Sequence, residues 1–222
     1  MSDEVAGHLR AAIMSGTLRP GTFIRLDDTA AELGVSVTPV REALLKLRGE
    51  GMVQLEPHRG HVVLPLTRQD IEDIFWLQAT IARELATTAT DRISDLEIDE
   101  LDRINNAMAG AVGSGDAEAI AAIEFSFHRV FNQASRRIKL AWFLLNAARY
   151  MPVQIYAADP QWGAAAVDNH RQVVAALRRR DTAAVVEHTV WQFTDAARRL
   201  TETLDRNGIF SERQRIPHQR IP

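Results

Sequence analysis

The sequence predicts a mostly α-helical protein in two parts. A short N-terminal part has three helices closed by a β-hairpin, and a longer part is helices alone. Three observations carry that expectation. Residues 34–53, "GVSVTPVREALLKLRGEGMV", run from a glycine turn through an amphipathic helix to further glycines. Next, "MVQLE" and "HVVLP" flank "PHRG", two β-type segments around a Pro/Gly turn. Between residues 67 and 206 no stretch alternates as a strand would.

The elements follow in order. Val5, Leu9 and Ile13 lie four apart, the spacing of one helical face. "RPGT" at 19–22 breaks that helix. A short helix over about 27–33 stops at Gly34, and Thr38 and Pro39 read as the N-cap and first residue of the next. There Val40, Ala43, Leu44 and Leu47 form a buried stripe, Arg41, Lys46 and Arg48 point outward, and Gly51 ends the run. Helix two joined to helix three through a glycine turn, then a hairpin, is the winged helix-turn-helix pattern.

In the second part, "TRQD" at 67–70 and "SDLE" at 94–97 are capping boxes, and Asp116 and Asp181 are further caps. Helices are expected near 68–91, 95–112, 116–134, 137–157, 160–179 and 182–206. The organisation is thus 1–66, 67–210 and a polar tail, 211–222, expected to be loosely held. Trp76, Trp142, Trp162 and Trp191 read as bundle core or interface. "RRR" at 178–180 reads as charge offsetting a helix dipole.

Composition limits the chemistry. The chain has 222 residues and no cysteine, which excludes disulfides, thiolate metal sites and cysteine nucleophiles. No run of eighteen apolar residues occurs and "MSDEVAGHLR" has no long apolar run after it, so neither a membrane span nor a signal peptide is expected, and the cytoplasm fits. Net charge is −3, and residues 1–66 hold seven Lys/Arg against eight Asp/Glu. A grip on DNA must therefore come from locally clustered charge and from two copies together. A helix of this width enters the major groove, led by its N-terminal residues. These are Ser36, Val37, Thr38 and Arg41, with Lys46 further along and His58, Arg59 and Gly60 on the wing tip.

"LRAAIMSGTLRPGTFI", "AAELGVSVTPVREALLKLRGEGMV" and "PHRGHVV" resemble the DNA-binding domain of GntR-family transcription regulators. The rest is similar to the all-helical effector domain of the FadR subfamily, called FCD. The resemblance implies a DNA-binding regulator, a repressor acting as a homodimer on an inverted-repeat operator, and no enzymatic activity. It also marks Val37, where relatives carry an arginine that reads a base. Valine donates no hydrogen bond but can pack on a thymine methyl.

"AIEFSFHRVFNQAS" places Glu124 and His128 four apart on one helix face, His170 follows in "VDNHRQVV", and His188 and Gln192 lie on the last helix. A carboxylate and imidazoles from three helices suit a zinc-, nickel- or manganese-type ion with open positions. An i, i+4 Glu/His pair is equally a plain hydrogen-bonded pair. The resemblance implies the ligand set Glu124, His128, His170 and Gln192. Glutamine there is a poor ligand, and His188, one turn earlier, is the substitute. It implies a small-molecule effector, such as a carboxylic acid, near Gln78, which stands where relatives have an arginine. Tyr150, between the candidate ligands, is a second pocket candidate. Two rival readings are a DNA-binding dimer that senses nothing and a metalloenzyme built on Glu124, His128 and His170. Nothing in the sequence supplies the latter with a separate base or nucleophile.

Overall fold

The computed structural model describes residues 1–210, residues 154 and 155 by their backbone alone. The expectation for residues 211–222 lies outside them. The chain forms two compact units. The first is Met1–Ile71 with Arg149–Pro152 and, of the described residues, 200–210. The second is Glu72–Ala148 with Val153–Arg199. No described helix is long and apolar enough to cross a membrane.

The first unit holds α1 (Ser2–Met14), β1 (Phe23–Ile24), α2 (Leu26–Leu33), α3 (Val37–Gly49), β2 (Val53–Glu56) and β3 (Gly60–Val63). Val5, Leu9 and Ile13 of α1 and Val40, Ala43, Leu44 and Leu47 of α3 are buried, the stripes the periodicity predicts. Arg10 of α1 is also buried and donates two hydrogen bonds of 2.7 Å to the Glu50 carboxylate just past α3. The strands form one antiparallel sheet in the order β1-β3-β2. At the turn into β3, Gly60 has φ +101°, and a Cβ there would stand 2.9 Å from the Ile24 carbonyl oxygen, so only glycine lets β1 close on β3.

One local expectation is corrected, and one element was not foreseen. The N-cap of α3 is Ser36, not Thr38, so Thr38 and Pro39 lie inside the first turn. Proline fits there because the first turn's N–H groups have no intrahelical partner to lose. The two-residue β1 has no alternation to read, and it exists by pairing Phe23 with Val62 and Ile24 with His61.

The last helix, α10 (Thr182–Arg206), ends in the first unit. Leu200, Leu204 and Ile209 are buried there, and Arg19 donates to the Asn207 carbonyl at 3.2 Å. A Cβ on Gly16 would lie 2.7 Å from Ile209, so glycine makes the room that this segment fills.

The second unit is built on most of α4 (Arg68–Arg92), α5 (Asp95–Ser114), α6 (Ala117–Ala134), α7 (Ile138–Ala147), α8 (Val153–Ala157), α9 (Pro160–Arg178) and most of α10. Its core joins Ala86, Leu101, Phe127, Phe131, Val173, Leu177 and Val185. The expected caps form. Thr67 and Asp70 bond reciprocally, as do Ser94 and Glu97, and Asp116 and Asp181 accept from Ala119 and Ala184. The helix expected over 137–157 is instead α7, a 3₁₀ turn (Ala148–Tyr150) and α8, interrupted at Pro152, which has no N–H to continue it. The arginine run does more than offset a dipole. Arg178 pairs with Asp99 and Asp102 of α5, and Arg180 donates to the Thr90 and Ile93 carbonyls at the α4–α5 junction.

Of the tryptophans only Trp162 is core. Trp76, Trp142 and Trp191 are 68%, 54% and 42% exposed, which corrects the core reading for those three. Helical spacing shows which residues share a face, and the packing of other elements decides which face is covered.

Candidate functional sites

The outward side of α3 is the first candidate site. Ser36 caps through its backbone position alone, which leaves its hydroxyl unspent. Ser36, Thr38 and Arg41 are exposed and Val37 is half-buried. Lys46 is already engaged, donating to Asp3 at 2.8 Å and Ser2 at 3.1 Å at the start of α1. That hydrogen bond, and the Lys46 charge, hold the Asp3 carboxyl below its ordinary pKa. On the wing, His58 takes a left-handed conformation with φ 62°. The Arg59 guanidinium lies over the Phe23 ring, 4.3 Å from its centroid, and Gly60 completes the tight turn. Leu45 went unassigned by sequence reasoning and is 54% exposed. Helical phase would have found it, since Thr38, Arg41 and Leu45 are spaced i, i+3, i+7 on one face.

The second candidate lies inside the helical unit. α6 presents Glu124 and His128 one turn apart, and α9 brings His170 to them. Glu124 Oε1 is 3.0 Å from His128 Nε2, and its Oε2 is 3.5 Å from His170 Nε2. His170 is fully buried, stacked on Phe127 with ring centroids 3.7 Å apart. Glu124 Oε2 and both ring nitrogens of His170 are buried without a hydrogen-bond partner. Burial pushes the Glu124 carboxyl up, but the His170 and His128 imidazoles and the hydrogen bond from His128 outweigh it and hold its pKa below the ordinary value. Burial pushes His170 down to about 4, against the raising effect of the Glu124 carboxylate. At neutral pH the set is therefore one carboxylate and an uncharged imidazole with a free lone pair, joined by His128. These ligating atoms all lie within 4.8 Å of one another. Unpaired buried oxygen and nitrogen donors in that grouping fit a borderline divalent ion.

The remaining candidates divide. His188 is not in the group, and its backbone carbonyl accepts from Asn169 at 3.3 Å. The Gln192 side-chain nitrogen is buried and unpaired. Gln78 is fully buried, its nitrogen donates to the Ala147 carbonyl at 2.9 Å, and its oxygen is unpaired. Tyr150 belongs to the first unit, where its hydroxyl donates to the Glu50 carbonyl at 3.0 Å.

Comparison with known proteins gives this geometry its context. Residues 1–63 match the family described as bacterial regulatory proteins, gntR family, and residues 73–190 match the FCD domain. The gluconate operon transcriptional repressor of Bacillus subtilis (strain 168) is 28% identical over 207 residues, 86% of this chain and 82% of that protein. The HTH-type transcriptional repressor RspR of Escherichia coli (strain K12) is 24% identical over 192 residues, 83% of this chain and 82% of the relative. Among solved structures, E. coli McbR/YncC superposes with a TM-score of 0.71 at 20% identity, covering 90% of this chain and 97% of that one. With an FCD match over more than half its length and a winged helix-turn-helix before it, the chain belongs to the GntR family and is a DNA-binding transcription regulator, not an enzyme.

Proposed function

We propose that the protein is a ligand-responsive repressor, active as a homodimer in the cytoplasm. It binds an inverted-repeat operator, and a small organic acid taken up by the helical unit controls it. Ser36, Val37, Thr38 and Arg41 address the DNA, with His58, Arg59 and Gly60 at the wing. Dimerisation supplies reach and charge, because one near-neutral module makes few phosphate contacts. Two modules about 34 Å apart gain specificity from a repeated half-site. The exposed Trp76, Trp142 and Trp191 are the apolar surface such a dimer would cover.

The observation that carries the sensing half of this reading is the buried Glu124–His128–His170 group with unpaired ligating atoms. Those residues would hold a zinc-, nickel- or manganese-type ion, which when bound supplies a Lewis-acidic anchor for an anionic effector. The chain's own part is orientation: Phe127 fixes the His170 ring, and Glu124 keeps its charge buried beside both imidazoles. The effector shifts operator binding only if it binds the two conformations unequally. The domains are read as 1–66 for DNA and 67–210 for effector and dimer.

The test pairs metal analysis of the purified protein with operator affinity measured against a panel of organic acids. Sugar acids come first, given the relative named for the gluconate operon. Bound metal and a change in operator affinity, both lost in His128→Ala/His170→Ala, are expected. Gln78 and Gln192 favour a second reading, a DNA-binding dimer that no longer senses, since both are uncharged amides. Absence of metal and of any response to acids would select it.

A further inference from the structure

The outward side of α3 carries an exposed aliphatic side chain among its polar ones. Thr38, Arg41 and Leu45 share its outward side, all exposed, and Val37 stands at its leading end. Arg41 is the cation of that set, and Arg48, two turns further on, is also exposed. Lys46 is held by Asp3 and Ser2, and the exposed Glu42 only accepts hydrogen bonds, so it adds no grip on phosphate. Leu45 leaves 54% of its surface in water on a helix whose apolar stripe is otherwise buried. An aliphatic side chain there has about half its surface left uncovered by the unit. It gains when a partner of the same character covers it.

In the major groove one base has such a partner. Thymine alone presents a methyl group, and an arginine pairs best with the O6 and N7 of guanine. Resting on the operator-binding reading above, we infer that Val37 and Leu45 read thymine 5-methyl groups on either side of one guanine held by Arg41. Eight residues of helix at about 1.5 Å each span roughly 12 Å, and base pairs rise about 3.4 Å. The three contacts therefore fall within about four base pairs of one half-site. Specificity rests on shape and methyl burial more than on donor–acceptor matching.

Uracil differs from thymine only by that methyl, so it tests the idea at single-atom level. The full-length protein is used to select duplexes from a random pool. Each thymine of the enriched half-site is then replaced by uracil in turn, and the dissociation constant measured. Two positions should each lose about fourfold, the ratio expected for burial of one methyl-sized group. Val37→Ala should erase the thymine-over-uracil difference at one position and Leu45→Ala at the other, while both variants keep the wild-type melting temperature. Val37→Arg should convert its position to a preference for guanine. If uracil at every position changes affinity less than twofold, or both alanine variants keep the discrimination, the inference is overturned while operator binding stands. A pool that yields no enriched sequence overturns operator binding and this inference with it.

Discussion

Arg10 and Glu50 show how one buried residue sets its partner's worth. The Arg10 side chain is 9% exposed and its guanidinium is satisfied by the two Glu50 oxygens. Removing Glu50 leaves a buried charge without its partner, a change that costs about 3 kcal/mol. Glu50→Ala should therefore lower the denaturant midpoint strongly, and a loss under 1 kcal/mol would show that water reaches Arg10. His61 works the other way. It is buried on β3 with both ring nitrogens unpaired, and burial, with the Arg48 charge, lowers its pKa from 6.5. The unfolded chain thus binds a proton more readily than the folded one, so stability is intact above pH 6.5 and declines as pH falls through that value. Thermal melts at pH 7.5 and 5.5 should differ less in His61→Phe than in the wild type, and equal pH slopes would refute the assignment. Neither role is written in the residue's neighbours along the chain. Arg10 and Glu50 are forty residues apart, and "GHVV" reads as any strand.

Among the elements, four expected caps form, while that of α3 falls on Ser36 rather than Thr38. Ser94 with Glu97, Thr67 with Asp70, Asp116 and Asp181 all form the expected bonds, because a cap is settled within three residues. Asp181→Ala should cost about 1 kcal/mol, the usual worth of a side-chain N-cap, in urea unfolding followed by far-UV circular dichroism. No measurable loss would mean the Arg180 bonds to Thr90 and Ile93 hold that turn unaided. The element that was missed and the one that was misread depend on a distant partner and on one residue's missing N–H. β1 exists only as the mate of β3, and the helix run over 137–157 breaks at Pro152. The apolar stripe of α3 was legible, and the exposed Leu45 on its opposite side was present in the same phase but unread.

For the whole molecule, the decisive quantity is the coupling of a bound ion to folding. If Glu124, His128 and His170 hold zinc, free zinc at a hundred times its dissociation constant adds about 2.7 kcal/mol to stability. Thermal unfolding of metal-stripped protein should shift upward by several degrees on adding zinc, and Glu124→Gln should abolish the shift. An unchanged melting temperature in the wild type would remove the ion from the account. The i, i+4 pair of Glu124 and His128 was visible in the sequence, as was His170 as a candidate. Their convergence was implied by the resemblance alone; its geometry comes from the packed core around Phe127 and Phe131 that α6 and α9 share.

By itself the sequence determined where most helices start and stop and which faces are apolar. Those signals are local: capping and periodicity act within about four residues. Only the tertiary structure decided that His170 stacks on Phe127 beside Glu124, that Asp3 occupies Lys46, and that Tyr150 bonds Glu50. It alone decided that the end of α10 is buried with the first unit. An apolar or polar side chain announces that it needs cover or a partner, while the choice among many chemically equal partners is made by how the elements pack.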